Sequence, residues 1–167
     1  MEEISSISNL IKLDKNSTRK RIIRELQEIS KIIKCIEIDY SDNKLIIITI
    51  SLLNDPINIY TFEIGQNYPF IPPKSIKINS IPYLSFLKIN SIKTLNDIKK
   101  MYKIDCCLCC SSLCCPDNWS PSITLNHIIN EIIKYKQYRK NIIYKLLLDK
   151  IKNKYLINDI NLESWLF

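Results

Sequence analysis

The sequence predicts an α+β domain, and three observations carry that prediction. A helical period runs over 17–34, where Ile22, Leu26, Ile29 and Ile33 recur at steps of four, three and four. The period drops to two over 35–80, in four apolar runs separated by turn residues. After Trp119 the helical period returns.

Each element follows from its residues. Ser17 suits the N-cap of the first helix, and Arg21/Glu25 and Arg24/Glu28 sit at i,i+4. The runs "CIEIDY" (35–40), "KLIIITISLL" (44–53), "INIYTFEI" (57–64) and "SIKINS" (75–80) read as strands. Asp42-Asn43 and Asn54-Asp55-Pro56 are short turns, which predicts a four-stranded antiparallel meander. Its second strand is nearly all apolar and is expected in the middle, covered by helix. "GQNYPFIPPK" (65–74) contains Pro69, Pro72 and Pro73 and must be a rigid extended loop. Residues 81–103 read as a partly helical insertion. A helix then begins at "SPSITLNHII", capped by Ser120 with Pro121 in its first turn. Leu125, Ile128, Ile129, Ile132 and Ile133 form its buried stripe, and 141–157 supply a further helix. The domain is expected over 17–157, with a leader at 1–16 and a tail at 158–167.

Composition bounds the function. At 167 residues the chain holds one domain with a real core. It has no Ala or Val and one Gly, as A/T-rich coding would give, since the codons of all three begin with G. The net charge of +7 is largely dispersed Lys of the same origin, so no nucleic-acid partner is expected. The start "MEEISSISNL" is no secretory signal, and the longest apolar run, 45–53, is too short for a membrane span. A reducing compartment is expected, cytoplasmic with the nucleus open as well, and no membrane partner.

Six of the seven cysteines crowd into "DCCLCCSSLCC". An odd total, and thiols this close, argue against a disulfide staple. Cys106/Cys109 and Cys107/Cys110 have C-x-x-C spacing, with Cys114 and Cys115 close behind. A structural zinc site usually separates its two pairs by about a dozen residues or more. No metal and no cofactor are therefore expected.

Three motifs in order carry a family resemblance: "KRIIREL" on the first helix, "YPFIPPK" (68–74), and "WSPSITL" (119–125). Together, over about 17–133, they resemble the ubiquitin-conjugating (UBC-fold) enzymes, the first motif their N-terminal helix and the others their Tyr-Pro-Phe-x-Pro-Pro-Lys loop and Trp-Ser-Pro turn. The loop alone also suits RWD-type domains, which share that fold without its chemistry. The family's His-Pro-Asn tripeptide is missing. "TLND" (94–97) resembles the Thr-Pro-Asn-Gly variant of an endoplasmic-reticulum branch, as "PDNW" (116–119) resembles that branch's Pro-Asp-x-Trp. The stretch between "PPK" and the cysteines is longer than usual.

The resemblance implies a UBC-like fold and an enzyme that accepts ubiquitin, or a ubiquitin-like protein, as a cysteine thioester and passes it to a substrate lysine. A free thiol with pKa near ~8.5 can both attack and leave, so no activating His is required, and His127 reads as a solvated residue. The family's reactive Cys precedes Leu, which points to Cys107 ahead of Leu108; spacing back from Trp119 keeps Cys110 as second choice, with Cys106 and Cys109 open. Asn96 is the implied oxyanion donor, and Asp117 the acidic residue orienting the incoming lysine. Arg19, Lys20, Arg21 and Arg24 would meet the activating enzyme; Phe70, Ile71, Pro72, Ser120 and Pro121 would meet a ligase. The alternative is a non-catalytic UBC-like or RWD-like module binding ubiquitin or a ligase, with zinc in its cysteine loop as one form.

Overall fold

A computed structural model describes residues 17–42, 45–88, 92–104 and 107–155. The leader 1–16, the tail 158–167 and Cys106 lie outside the described residues. The chain runs α1 (Ser17–Ile29), a 3₁₀ turn (Ser30–Ile32), β1 (Ile33–Asp42), β2 (Leu45–Leu52), β3 (Asp55–Gly65), β4 (Ser75–Ile78) and β5 (Ile81–Pro82). Then come α2 (Tyr83–Phe86), α3 (Ile92–Tyr102), α4 (Leu108–Ser111), a second 3₁₀ turn (Pro116–Asn118) and α5 (Leu125–Tyr155). The strands form one antiparallel sheet in sequential order, β1 to β5.

The expected meander is present with one strand more. Asn79 and Ser80 turn the chain with φ of 48° and 69°, and Ile81 and Pro82 return to pair with Ile78 and Lys77. Asn79 suits that left-handed turn because its own side chain satisfies neighbours. Its Oδ1 accepts from Ile59 N–H at 2.8 Å, and its Nδ2 donates to Asn58 Oδ1 at 2.7 Å.

β2 lies inside the sheet, as its apolar sequence predicts, but helices cover one face only. Ile46, Ile48, Ile50 and Leu52 are buried, while Leu45, Ile47, Thr49 and Ser51 are half-exposed. The buried set packs with Ile22, Leu26 and Ile29 of α1 and Ile128, Ile129 and Ile132 of α5. A single-faced sheet explains why Thr49 and Ser51 interrupt the run.

Two helix predictions need correction. The first helix stops at Ile29, so Ile33 opens β1 rather than joining the apolar stripe. The C-terminal region is one continuous helix of 31 residues, not two. It also starts later than Ser120. Residues Ser120–Ile123 form a turn closed by Ile123 N–H to Ser120 O at 2.9 Å, and Thr124 N–H donates to His127 Nδ1 at 3.1 Å. That bond satisfies an amide at the helix start, where the N-terminal N–H groups have no partner inside the helix. His127, its imidazole exposed, thus caps the start of α5.

Candidate active site

Two buried glutamates fix the loops around the site. Glu25 of α1 is 2% exposed. Its carboxylate accepts from Tyr68 Oη at 2.6 Å, from the Leu125 amide at 2.8 Å, and from Arg21 Nε. Arg21 also donates to Pro121 O at 3.2 Å. The Pro-rich loop thus meets the start of α5 across α1. Trp119 closes the junction, donating Nε1–H to Pro69 O at 2.8 Å with its ring 6.0 Å from that of Tyr68. Burial first, then the Glu25 hydrogen bond, pushes the Tyr68 hydroxyl far above its ordinary pKa, so it remains a donor.

Glu131 of α5 does the same for the cysteine loop. It accepts from Ser112 Oγ at 2.6 Å, from the Leu113 amide at 2.6 Å and from Tyr83 Oη at 2.9 Å. Beside it, burial and then the Glu131 charge push the Cys114 thiol up to about 12. Cys114 is thereby held neutral and packs as a small apolar group.

Above these anchors, Cys107 precedes α4 and Leu108 is sealed in the core at 2% exposure. The Cys107 carbonyl accepts from the amides of Cys110 and Ser111, each at 3.1 Å, which closes a tight turn. Ser111 Oγ lies 3.2 Å from Tyr135 Oη on α5, and Asn118 Nδ2 donates to Cys110 O at 2.6 Å and Ser112 O at 3.0 Å. The turn is thus pinned on two sides.

Three sulfurs converge on it. Cys107 Sγ lies 2.7 Å from Cys109 Sγ and 2.9 Å from Cys110 Sγ. Cys110 is exposed, and Cys107 and Cys109 are half-buried. Hydrogen bonds from Cys109 and then Cys110, with backbone amides adding, pull the Cys107 thiol down to about 7. The same coupling raises Cys109, and raises Cys110 to about 12. The three thiols titrate as an interacting set, in which the neighbours' hydrogen bonds lower Cys107.

The other expected site residues fall into two groups. Asp117 is exposed in the 3₁₀ turn beside the loop. Asn96 is exposed in the middle of α3, and among the described residues no hydrogen bond joins it to the cysteine trio. Phe70 and Ile71 are 78% and 52% exposed, and Pro121 is exposed, while Pro72 and Ser120 are half-buried. Of the basic set, Arg24 is exposed, Lys20 half-exposed, Arg19 lies 4.9 Å from the Tyr40 ring, and Arg21 turns inward to Glu25. Glu25, Glu131 and Asn118 were missed. A signal for both acids exists: each sits three residues after one core residue and four before another (Ile22 and Ile29, Ile128 and Tyr135).

What the fold and site define is an α+β chain that presents a three-thiol turn on a core-anchored loop. No family model matches the chain, and neither a curated protein nor a solved structure matches it. Among the described residues, no helix is long and apolar enough to cross a membrane.

Proposed function

We propose that this chain is a ubiquitin-conjugating acyltransferase of UBC-like fold, carrying ubiquitin or a ubiquitin-like protein on Cys107. The observation that carries the reading is the Cys107-Leu108 pair: the leucine is locked in the core while the sulfur before it stands at the surface on a hydrogen-bonded turn. The three motifs behind the resemblance also touch one another, through Glu25 and Arg21, Tyr68 and Pro69, and Trp119 and Pro121.

The chemistry asks little of the protein beyond that sulfur. Cys107 Sγ attacks the thioester carbonyl of the loaded activating enzyme, and that enzyme's thiolate leaves. A substrate lysine amine then attacks the new thioester, releasing the Cys107 thiolate and leaving an amide. Negative charge builds on the carbonyl oxygen in both steps, and a donor aimed there lowers the barrier by a few kcal/mol. Asn96, exposed on α3, is the candidate donor. Asp117, beside the loop, orients the lysine. The partners are ubiquitin or a relative, the activating enzyme, a ligase at Phe70–Pro72 and Ser120–Pro121, and a protein substrate.

The test is charging. With activating enzyme, ATP and ubiquitin, a non-reducing gel should show one added ubiquitin, removed by thiol reductant. Cys107→Ala should abolish that band and Cys110→Ala should keep it. Charging that survives Cys107→Ala sinks the assignment, and a wild-type protein that never charges sinks the activity.

A further inference from the structure

The cysteine trio can hold more than an acyl group. The Sγ atoms of Cys107, Cys109 and Cys110 all lie within 4.8 Å of one another, and among the described residues this is the one cluster of metal-ligating groups. Cys107 Sγ faces both neighbours, Cys109 Sγ at 2.7 Å and Cys110 Sγ at 2.9 Å.

We infer that Cys107, Cys109 and Cys110 form a three-thiolate site for a soft, thiophilic d¹⁰ cation, Cu(I) or Zn(II), whose occupation blocks Cys107 as an acyl acceptor. The blocking clause rests on the function proposed above; the site does not.

Four features carry the inference. The donor set is all sulfur, which selects Cu(I) and Zn(II) over the hard cations that prefer oxygen. The spacing is within reach: two thiolates bound at ~2.3 Å stand ~3.8 Å apart, so the sulfurs need to spread by about 1 Å. The scaffold is rigid where rigidity matters, since Leu108 anchors the turn and the amides of Cys110 and Ser111 bind the Cys107 carbonyl. Access is open, because Cys110 is exposed.

This donor set differs from the one the sequence spacing argues against. A pair-of-pairs zinc site would need Cys114 or Cys115. Cys114 instead packs against the core. With three sulfurs and no fourth described ligand, Cu(I) completes a trigonal site, and Zn(II) would keep one position for water. On binding, each coordinating thiol loses its proton to solvent and a metal–sulfur bond replaces the S–H bond. A sulfur held that way shares its charge with the cation and has the ion on its open side, so it is a weaker and less accessible nucleophile toward a carbonyl.

The experiment uses the full reduced chain with Zn(II) or Cu(I) as probe, titrated against a chromophoric chelator under anaerobic conditions. One ion per chain is expected, with a thiolate-to-metal absorption band for Cu(I). Cys109→Ser and Cys110→Ser should each weaken binding ~100-fold or more, given that even outer partners of a metal site carry ~10–100-fold. Cys35→Ser, on β1 away from the loop, should bind as wild type does. A readout on the wild-type chain guards against misfolded variants: bound metal should protect Cys107, Cys109 and Cys110 from iodoacetamide and leave Cys35 reactive. Absence of stoichiometric binding, or wild-type affinity in the Cys109 and Cys110 variants, overturns the site. Charging measured with and without metal separates the two proposals. A chain that charges but binds no metal loses the site and keeps the activity. A chain that binds metal but never charges loses the activity and keeps the site. A chain that charges equally well with its metal bound overturns the blocking clause.

Discussion

The two buried carboxylates invite comparison, because they hold matching helical positions and do different work. Glu25 and Glu131 each lie on an apolar stripe, and each accepts a tyrosine hydroxyl and a backbone amide. Glu25 has a guanidinium beside it and reaches partners 43 and 100 residues away, one of them the first amide of α5. Glu131 takes neutral donors only, and two of its three, Ser112 and Leu113, are 19 and 18 residues away. The 100-residue closure to Leu125 makes Glu25 a weld between distant parts of the chain. Glu131 makes two of its three bonds to the cysteine loop and the third to Tyr83, 48 residues away. The lesson is that one chemical device serves global stability or local order according to the span of chain it closes.

The harshest way to break this contrast is Glu25→Ala. It strands Tyr68 Oη and the Leu125 amide in the interior and leaves Arg21 without its carboxylate. A loss of about 2–4 kcal/mol is expected in chemical denaturation, mostly from the two stranded donors, since Arg21 is partly solvated. An unchanged midpoint would mean the weld is not there. Glu131→Ala should cost less, about 2–3 kcal/mol, because its donors are neutral and can rotate toward water. Its signature should be local: faster amide exchange over 108–119, and faster alkylation of Cys114 once the charge and packing that hold its thiol up at about 12 are gone. Exchange rising evenly across the sheet would erase the distinction. Tyr68→Phe and Tyr83→Phe sharpen it further, each removing one bond to a carboxylate at about 1–2 kcal/mol, with only Tyr83→Phe disturbing the cysteine loop.

A third, shallower carboxylate extends the series. Asp55 accepts from Lys136, Tyr60 and Asn58. Burial opposes its ionisation, but those hydrogen bonds outweigh burial and hold its pKa below the usual value. The lowered folded pKa means its contribution is complete above the unfolded value of ~3.9 and is lost as pH falls through the lower folded one. Asp55→Asn should flatten that acid-side loss in thermal melts while leaving the neutral-to-basic limb parallel to wild type. A steeper acid limb in the variant would reverse the sign and discard the argument.

Much of the sheet was legible because side-chain period is a local property: β2 and β3 follow the alternation of Ile46–Ile48–Ile50 and Tyr60–Phe62–Ile64. The hairpin at Asn79-Ser80 was not, since neither residue is the glycine that advertises a left-handed turn. The break at Ile29 was hidden because Ile33 continues a helical spacing while its neighbours pair with β2. In the site, the Cys107-Leu108 pair was readable in the sequence, and the structure buries that leucine. The sulfur convergence was not, because which of six adjacent thiols face one another depends on the turn at 107–111. Glu25 looked like half of a surface pair with Arg21. Its carboxylate instead takes the Leu125 amide 100 residues away, and no window along the chain spans that distance.

The hairpin holds a last consequence. With one glycine in 167 residues, positive φ falls on Asn79, Ser80 and Lys103. Asn79 is compensated by its side-chain bonds; Ser80, at 69°, carries a Cβ against the following carbonyl at a cost of ~1–2 kcal/mol per residue. Ser80→Gly should therefore raise the melting temperature slightly, by about 1 kcal/mol of relieved strain less the added freedom of the unfolded chain. A coding bias that has little to do with folding would then be written into the backbone as a small, correctable tension.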